Sequence, residues 1–216
     1  MRITSLAVIL ALGLSAATLD AQLRPDTGAA TPDARLEARL PAEARAGVRT
    51  VIDTARARGL PVEPLIQKAL EGASRGANAT LIVRAVNSLA DRLAAARGAL
   101  GAASTETELV AAAGALTVGV PNATLRDLRR SQPDRSVALP LVVLADIVQR
   151  GVPVDTASSV IMSLSRAGMP EAEFHSLRQA VMQDIGSGAN PATAASTRAT
   201  GILLRVKVTA PPPAVP

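Results

Sequence analysis

"ARGLPVEPLI" at residues 57–66 and "QRGVPVDTAS" at residues 149–158 are near copies lying 92 residues apart. Each has the grammar of one helix ending and another beginning. Arg58 and Arg150 fall where a last turn would place a cation against the negative end of the helix dipole. Gly59 and Gly151 are placed to take the left-handed conformation at C′, and the apolar residue that follows, Leu60 or Val152, can fold back onto the helix just ended. Pro61 and Pro153 then suit a new first turn, where the missing N–H had no partner in any case, and Glu63 and Asp155 add negative charge near that N-terminus.

The same grammar recurs in "AGMPEAE" (167–173), through Gly168 and Pro170, and in "VGVPNAT" (118–124), through Gly119 and Pro121. Gly76 ends another segment, so Gly59 to Gly76 and Gly151 to Gly168 each span 17 residues, one short helix plus one tight turn. Residues 58–93 align without gaps on residues 150–185, which predicts that three successive helices are repeated. The copy is degenerate, since Ile66 meets Ser158 and Val83 meets His175. Stacked units of this size predict an all-α fold of short helical hairpins, as a small α-solenoid or an irregular bundle. The spacing is too short and too poor in aromatics for a tetratricopeptide array.

Apolar spacing between the joints is helical. Val48, Val51, Ile52 and Ala55 form one stripe, Leu65, Ala69, Leu70 and Ala73 the next, and Ile82, Val86, Leu89 and Leu93 a longer one. Thr105 and Glu108 make a capping-box signature ahead of Leu109, Ala112, Ala113 and Leu116. A short helix carries Leu125 and Leu128, and the polar stretch "RRSQPDRS" (129–136) is the best internal boundary. Beyond it run Leu141, Leu144, Ile147 and Val148, then Ala157, Val160, Ile161 and Leu164, then Phe174, Leu177, Val181 and Ile185.

The expected organisation is a signal peptide at 1–21, an N-terminal linker at 22–40 that can be part helical, a first helical half at 41–130, a loop at 131–136, a second half at 137–186, and a low-complexity tail at 187–216. The signal reading rests on Arg2, an apolar stretch from Leu6 to Leu14, and small residues before cleavage at Ala21 or Ala17. An uncleaved anchor over residues 3–19 is the competing expectation, at the short limit for a span. With no cysteine in the chain there is no disulfide framework, thiolate metal site or lipid-attachment cysteine, so the expected location is periplasmic or secreted and not that of a lipoprotein.

Hydrophobic residues make up 48% of the chain, yet Trp and Tyr are missing and Phe174 is the sole aromatic, so the core has to be built from Ala, Leu, Val and Ile. Basic residues outnumber acidic ones by 23 to 18, with Lys68 and Lys207 the only lysines. Such arginine-heavy, alanine-rich usage resembles that of exported proteins from GC-rich genomes. Charges are interspersed and stacking aromatics are absent, which speaks against nucleic acid as a partner. "RDLRR" (126–130) reads as a solvated helix end, with anionic polymer or lipid as the lesser alternative.

No residue is assigned a catalytic, cofactor-binding or metal-binding role. On a helix Glu171 would share a face with His175, with Glu173 nearby, but a metal needs further ligands. No strand leads into a helix to carry a G-x-S-x-G elbow, and "GALGAAST" (98–105) lacks the lysine of a phosphate-binding loop. Two stretches are candidate partner-binding elements. In the tail, "ILLRVKV" (202–208) alternates Leu204, Val206 and Val208 with Arg205 and Lys207, which predicts a strand able to pair with an edge in another molecule. In "QKALEGASRG" (67–76), Lys68 and Glu71 adjoin Gly72, whose place in a helix interior predicts a close crossing and the chance of a groove there.

The resulting expectation is an exported, non-catalytic helical scaffold for an envelope or secreted protein. The rivals are an envelope hydrolase with carboxylates converging in a helical groove, and a peripheral membrane-surface protein held by basic charge. A pocket gathering several acids around His175 would favour the hydrolase; an apolar or mixed groove without converging polar groups would favour the scaffold.

Overall fold

The structure is a computed structural model that describes residues 32–209, with side chains described over 34–205. The signal segment and the last residues of the low-complexity tail expected from the sequence, 210–216, lie outside the described residues. Ten helices make up the described chain: α1 (Pro32–Arg39), α2 (Ala42–Ala57), α3 (Glu63–Ser74), α4 (Ala79–Leu100), α5 (Glu106–Thr117), α6 (Asn122–Ser131), α7 (Ala138–Gln149), α8 (Val154–Arg166), α9 (Glu171–Gly186) and α10 (Pro191–Thr209). The fold is therefore all-α, and α1 occupies part of the expected N-terminal linker.

Helices pack on their chain neighbours and on the helix two places away. One row runs α2, α4, α6, α8, α10; the other holds α1 against α3, and α5, α7 and α9 in succession. Hairpin contacts α3–α4, α4–α5, α7–α8 and α9–α10 join the rows. Such alternation is what stacked short hairpins produce when each buries its apolar stripe on its neighbours. The core between the rows is aliphatic, with Val48, Leu65, Ile66, Val86, Leu93, Leu109, Leu125, Leu141, Leu144 and Leu164 all fully buried, and Phe174 the one ring.

The glycine joints share one hydrogen-bond pattern. At Gly59 (φ 66°) the Leu60 N–H donates to the Ala55 carbonyl at 2.9 Å and the Gly59 N–H to the Arg56 carbonyl at 3.0 Å. At Gly151 (φ 94°) the equivalent bonds run from Val152 to Ile147 at 3.1 Å and from Gly151 to Val148 at 2.9 Å. These are Schellman closures, with the following apolar residue buried against the helix it has left. Gly76, Gly119 and Gly168 close their helices in the same way. The prolines sit slightly further out than a first-turn position: Pro121, Pro153 and Pro170 are N-cap residues, and Pro61 precedes the N-cap Val62. An N-cap residue keeps extended ψ while its carbonyl already accepts a helical bond, and proline meets both demands.

The 92-residue offset carries burial as well as sequence. Ile52 and Leu144, Ala55 and Ile147, Leu60 and Val152, Leu65 and Ala157, Ala69 and Ile161, and Ile82 and Phe174 are buried at matched positions. The copies diverge where α3 packs along α4 while α8 packs chiefly on α7 and α10. Ser158, standing where the first copy has Ile66, buries a hydroxyl without a hydrogen-bond partner.

The tail requires a correction. Residues 202–208, including Leu204, Arg205, Val206, Lys207 and Val208, continue helix α10 and form no strand, and the expected low-complexity tail from residue 191 to 201 belongs to the same helix. Asn190 caps it, its side-chain oxygen accepting the Thr193 N–H at 3.1 Å, and Pro191 follows at the first position. Ala195, Ala199 and Ile202 are buried at the i, i+4, i+7 spacing that governs here. A strand would have left its backbone donors without a sheet, whereas the helix satisfies them internally.

Candidate functional site

An apolar concavity lies between α5 and α7, and one buried carboxylate fixes how those two helices start. Thr105 caps α5 and accepts the Glu108 N–H at 3.2 Å, while the Glu108 carboxylate returns to the Thr105 N–H at 2.9 Å. The same carboxylate accepts the Val137 N–H, at the head of α7, at 3.0 Å, and is ion-paired with Arg129 near the end of α6. Arg129 also donates to the carbonyls of Arg135 at 3.1 Å and Gln132 at 3.4 Å, which ties the 131–136 loop to the same point. Only 4% of the Glu108 side chain is exposed. Burial is the largest single influence on its acidity and pushes the carboxyl up, yet the two N–H groups and the guanidinium together outweigh it and hold the group below the usual carboxylate range. Arg129 is thus a structural clamp and not a solvated helix end; Arg126 is exposed and Arg130 pairs with Asp127.

With the helix starts joined, α5 and α7 line a groove of about 570 Å³. Its apolar lining comes from Val110, Ala111, Gly114, Val142 and Ala145, and Glu106, Thr107, Asp146 and Gln149 complete it. Val110 and Val142 are 41% and 40% exposed, unusual for branched aliphatic residues flanking a shared hollow. They are left over because α5 and α7 are apolar almost all round, so satisfying the core still leaves hydrophobic side chains outside. No basic residue lines the groove. Asp146 is held at 2.6 Å by Arg178 of α9, which walls off a separate hollow of about 380 Å³ beside His175, Gln179 and Met182.

The structure does not bring the sequence-derived candidates together. Lys68 and Glu71 form a surface ion pair at 2.9 Å, extended by Arg75 at 2.8 Å, on α3. The close crossing beside them is real: a Cβ on Gly72 would lie 3.0 Å from Cγ1 of Ile82, but neither Lys68 nor Glu71 lines the α5–α7 groove. Leu204 is 57% exposed on α10, and Arg205 approaches Glu173 at 3.5 Å. His175 is exposed, and no cluster of three metal-ligating side chains occurs among the described residues. Among the same residues, no helix is long and apolar enough to cross a membrane.

The α5–α7 groove was not singled out from the sequence, although a signal existed. "LVAAAGAL" (109–116) and "LPLVVLADIV" (139–148) carry apolar residues on more faces than one core can absorb. Compared with known proteins, the chain matches no family model, no characterised protein and no solved structure.

Proposed function

We propose that this chain is an exported, non-catalytic helical scaffold that receives an amphipathic segment of a partner protein in the α5–α7 groove. The observation that carries it is the pair of exposed valines, Val110 and Val142, flanking a hollow lined with the small residues Ala111, Gly114 and Ala145. Helix-in-groove recognition uses such a surface, with apolar anchors one helical turn apart entering between two packed helices. Covering the remaining surface of each valine contributes about 1 kcal/mol, enough for a partner with several anchors to bind. The polar groups of the groove do not converge: Glu106 stands in the first turn of α5, Asp146 is engaged by Arg178, and His175 lies in another hollow. Export rests on the N-terminal pattern of Arg2 and the apolar stretch from Leu6 to Leu14.

The test is a photo-crosslinking residue at Val142 in the full chain, irradiated in the native cell envelope, beside a control at exposed Thr50. One discrete adduct at Val142, absent at Thr50 and lost on adding Val110→Glu, is the expected result. Equal labelling at both positions would overturn the proposal.

A further inference from the structure

We infer that the α5–α7 groove accepts the end of helix α10 from a second copy of this chain, so that copies join head to tail. This rests on the groove being a binding surface, as proposed above, and goes further by naming its occupant. Leu204 is the most exposed large apolar residue of the described chain, at 57%, ahead of Leu81, Val110 and Val142. It lies in a helix whose buried face is committed elsewhere, since Ala195, Ala199 and Ile202 all point into the copy's own core. Helix α10 packs on α8 and α9, so within one copy its exposed leucine is not part of the α5–α7 contact.

Charge gives the match its direction. The groove has no basic lining residue, and of its two acids Asp146 is already paired with Arg178 while Glu106 is the one left at the rim, in a chain whose basic residues outnumber its acids by 23 to 18. The end of α10 exposes Leu204 directly beside the basic Arg205, while Leu203 packs on the copy's own core. Seating Leu204 between Val110 and Val142 would bring Arg205 to Glu106 at the rim. Arg205 approaches Glu173 in its own copy, and a guanidinium has five N–H donors, so it can serve an acid in each copy at once. Electrostatic complementarity of this kind fixes which patch meets which. Groove and helix end are different surfaces, so the contact is heterologous, and each copy can bind one neighbour at each.

The experiment is sedimentation velocity on the full chain at concentrations up to about 1 mM, a range suited to a contact well below ~1,200 Å². The wild type should associate in a concentration-dependent way. Val142→Glu, which spoils the groove, and Leu204→Glu, which spoils the helix end, should each weaken association at least tenfold while circular dichroism stays unchanged. Mixed together, the two variants should form a one-to-one dimer and nothing larger, because one keeps a working helix end and the other a working groove. If Val142→Glu unfolds the chain, Glu106→Arg takes its place, and combining it with Arg205→Glu in one chain should restore association. A monomeric wild type, association untouched by Leu204→Glu, or a mixture that does not pair would each overturn the inference. The Val142 crosslink then judges the groove separately: an adduct with a different protein sinks self-association alone, and no discrete adduct sinks the groove as well.

Discussion

Replacing Glu108 with alanine should be the most damaging single substitution outside the aliphatic core. The change strands the N–H groups of Thr105 and Val137, both bonded to that carboxylate, and leaves Arg129 without its acid. A buried donor left without a partner costs about 1–3 kcal/mol. Arg129 is 22% exposed and keeps its carbonyl partners, so it regains some hydration and adds less than a fully buried charge would. Together these give a loss of about 3–4 kcal/mol, a large part of the stability of an ordinary domain. Glu108→Gln keeps the shape and one acceptor, and should cost about half as much. Urea unfolding followed by circular dichroism at the helical band is the assay, since the chain has no Trp or Tyr to report by fluorescence. The sign with pH follows from the depressed acidity of Glu108: its contribution is complete above the unfolded carboxyl range near pH ~4.3 and is lost as pH falls through the lower folded value. Glu63, Glu71 and Asp184 are also held low by their basic partners and add to the same acid limb, so the Gln variant should flatten that limb without abolishing it. A loss below about 1 kcal/mol for Glu108→Ala would show that water serves those N–H groups equally well, and would refute the carboxylate as the joint between α5, α6 and α7.

Gly114→Ala should stabilise the fold by about 1 kcal/mol in the same urea assay, because a Cβ there meets nothing within 4 Å, while partly filling the groove and weakening the Val142 crosslink. Ser158→Ala should gain about 1 kcal/mol by removing the hydroxyl that the second repeat buries without a partner, and an equal loss would show that the hydroxyl is satisfied. Ala199→Pro should cost about 3 kcal/mol and reduce helicity, as a proline in the interior of α10 must; a neutral result would return the tail to a loose linker. His175→Ala, on an exposed turn of α9, should shift stability by less than about 0.5 kcal/mol.

How far the fold could be read from the sequence depended on the range of the forces involved. The joints at Gly59, Gly76, Gly119, Gly151 and Gly168 were legible because a left-handed glycine followed by an apolar residue is a local device, complete within six residues. The Thr105–Glu108 capping box was legible for the same reason. That Glu108 also reaches Val137 and Arg129 was not, since those partners are 29 and 21 residues away and nothing local announces them. Residues 202–208 were misread because seven residues of alternating character suit a strand, and the buried positions that identify the helix, Ala195 and Ala199, lie outside that window. The groove went unseen because a face left apolar and one buried in the core have the same composition. Only the packing of α5 on α7 tells which of Val110, Leu109, Val142 and Leu141 stays outside.

The alternating rows also bear on how the chain acquires its structure. Every substantial helix–helix contact joins elements no more than two places apart in the sequence, so no helix waits for a distant partner to be made. Chains dominated by such short-separation contacts fold fast, since little loop entropy is lost before each contact forms. A hairpin can therefore dock as soon as the next one follows it, from either end. A polypeptide delivered as an extended thread would be able to assemble behind its own leading segment, helix by helix, with little apolar surface left waiting for a partner at any moment.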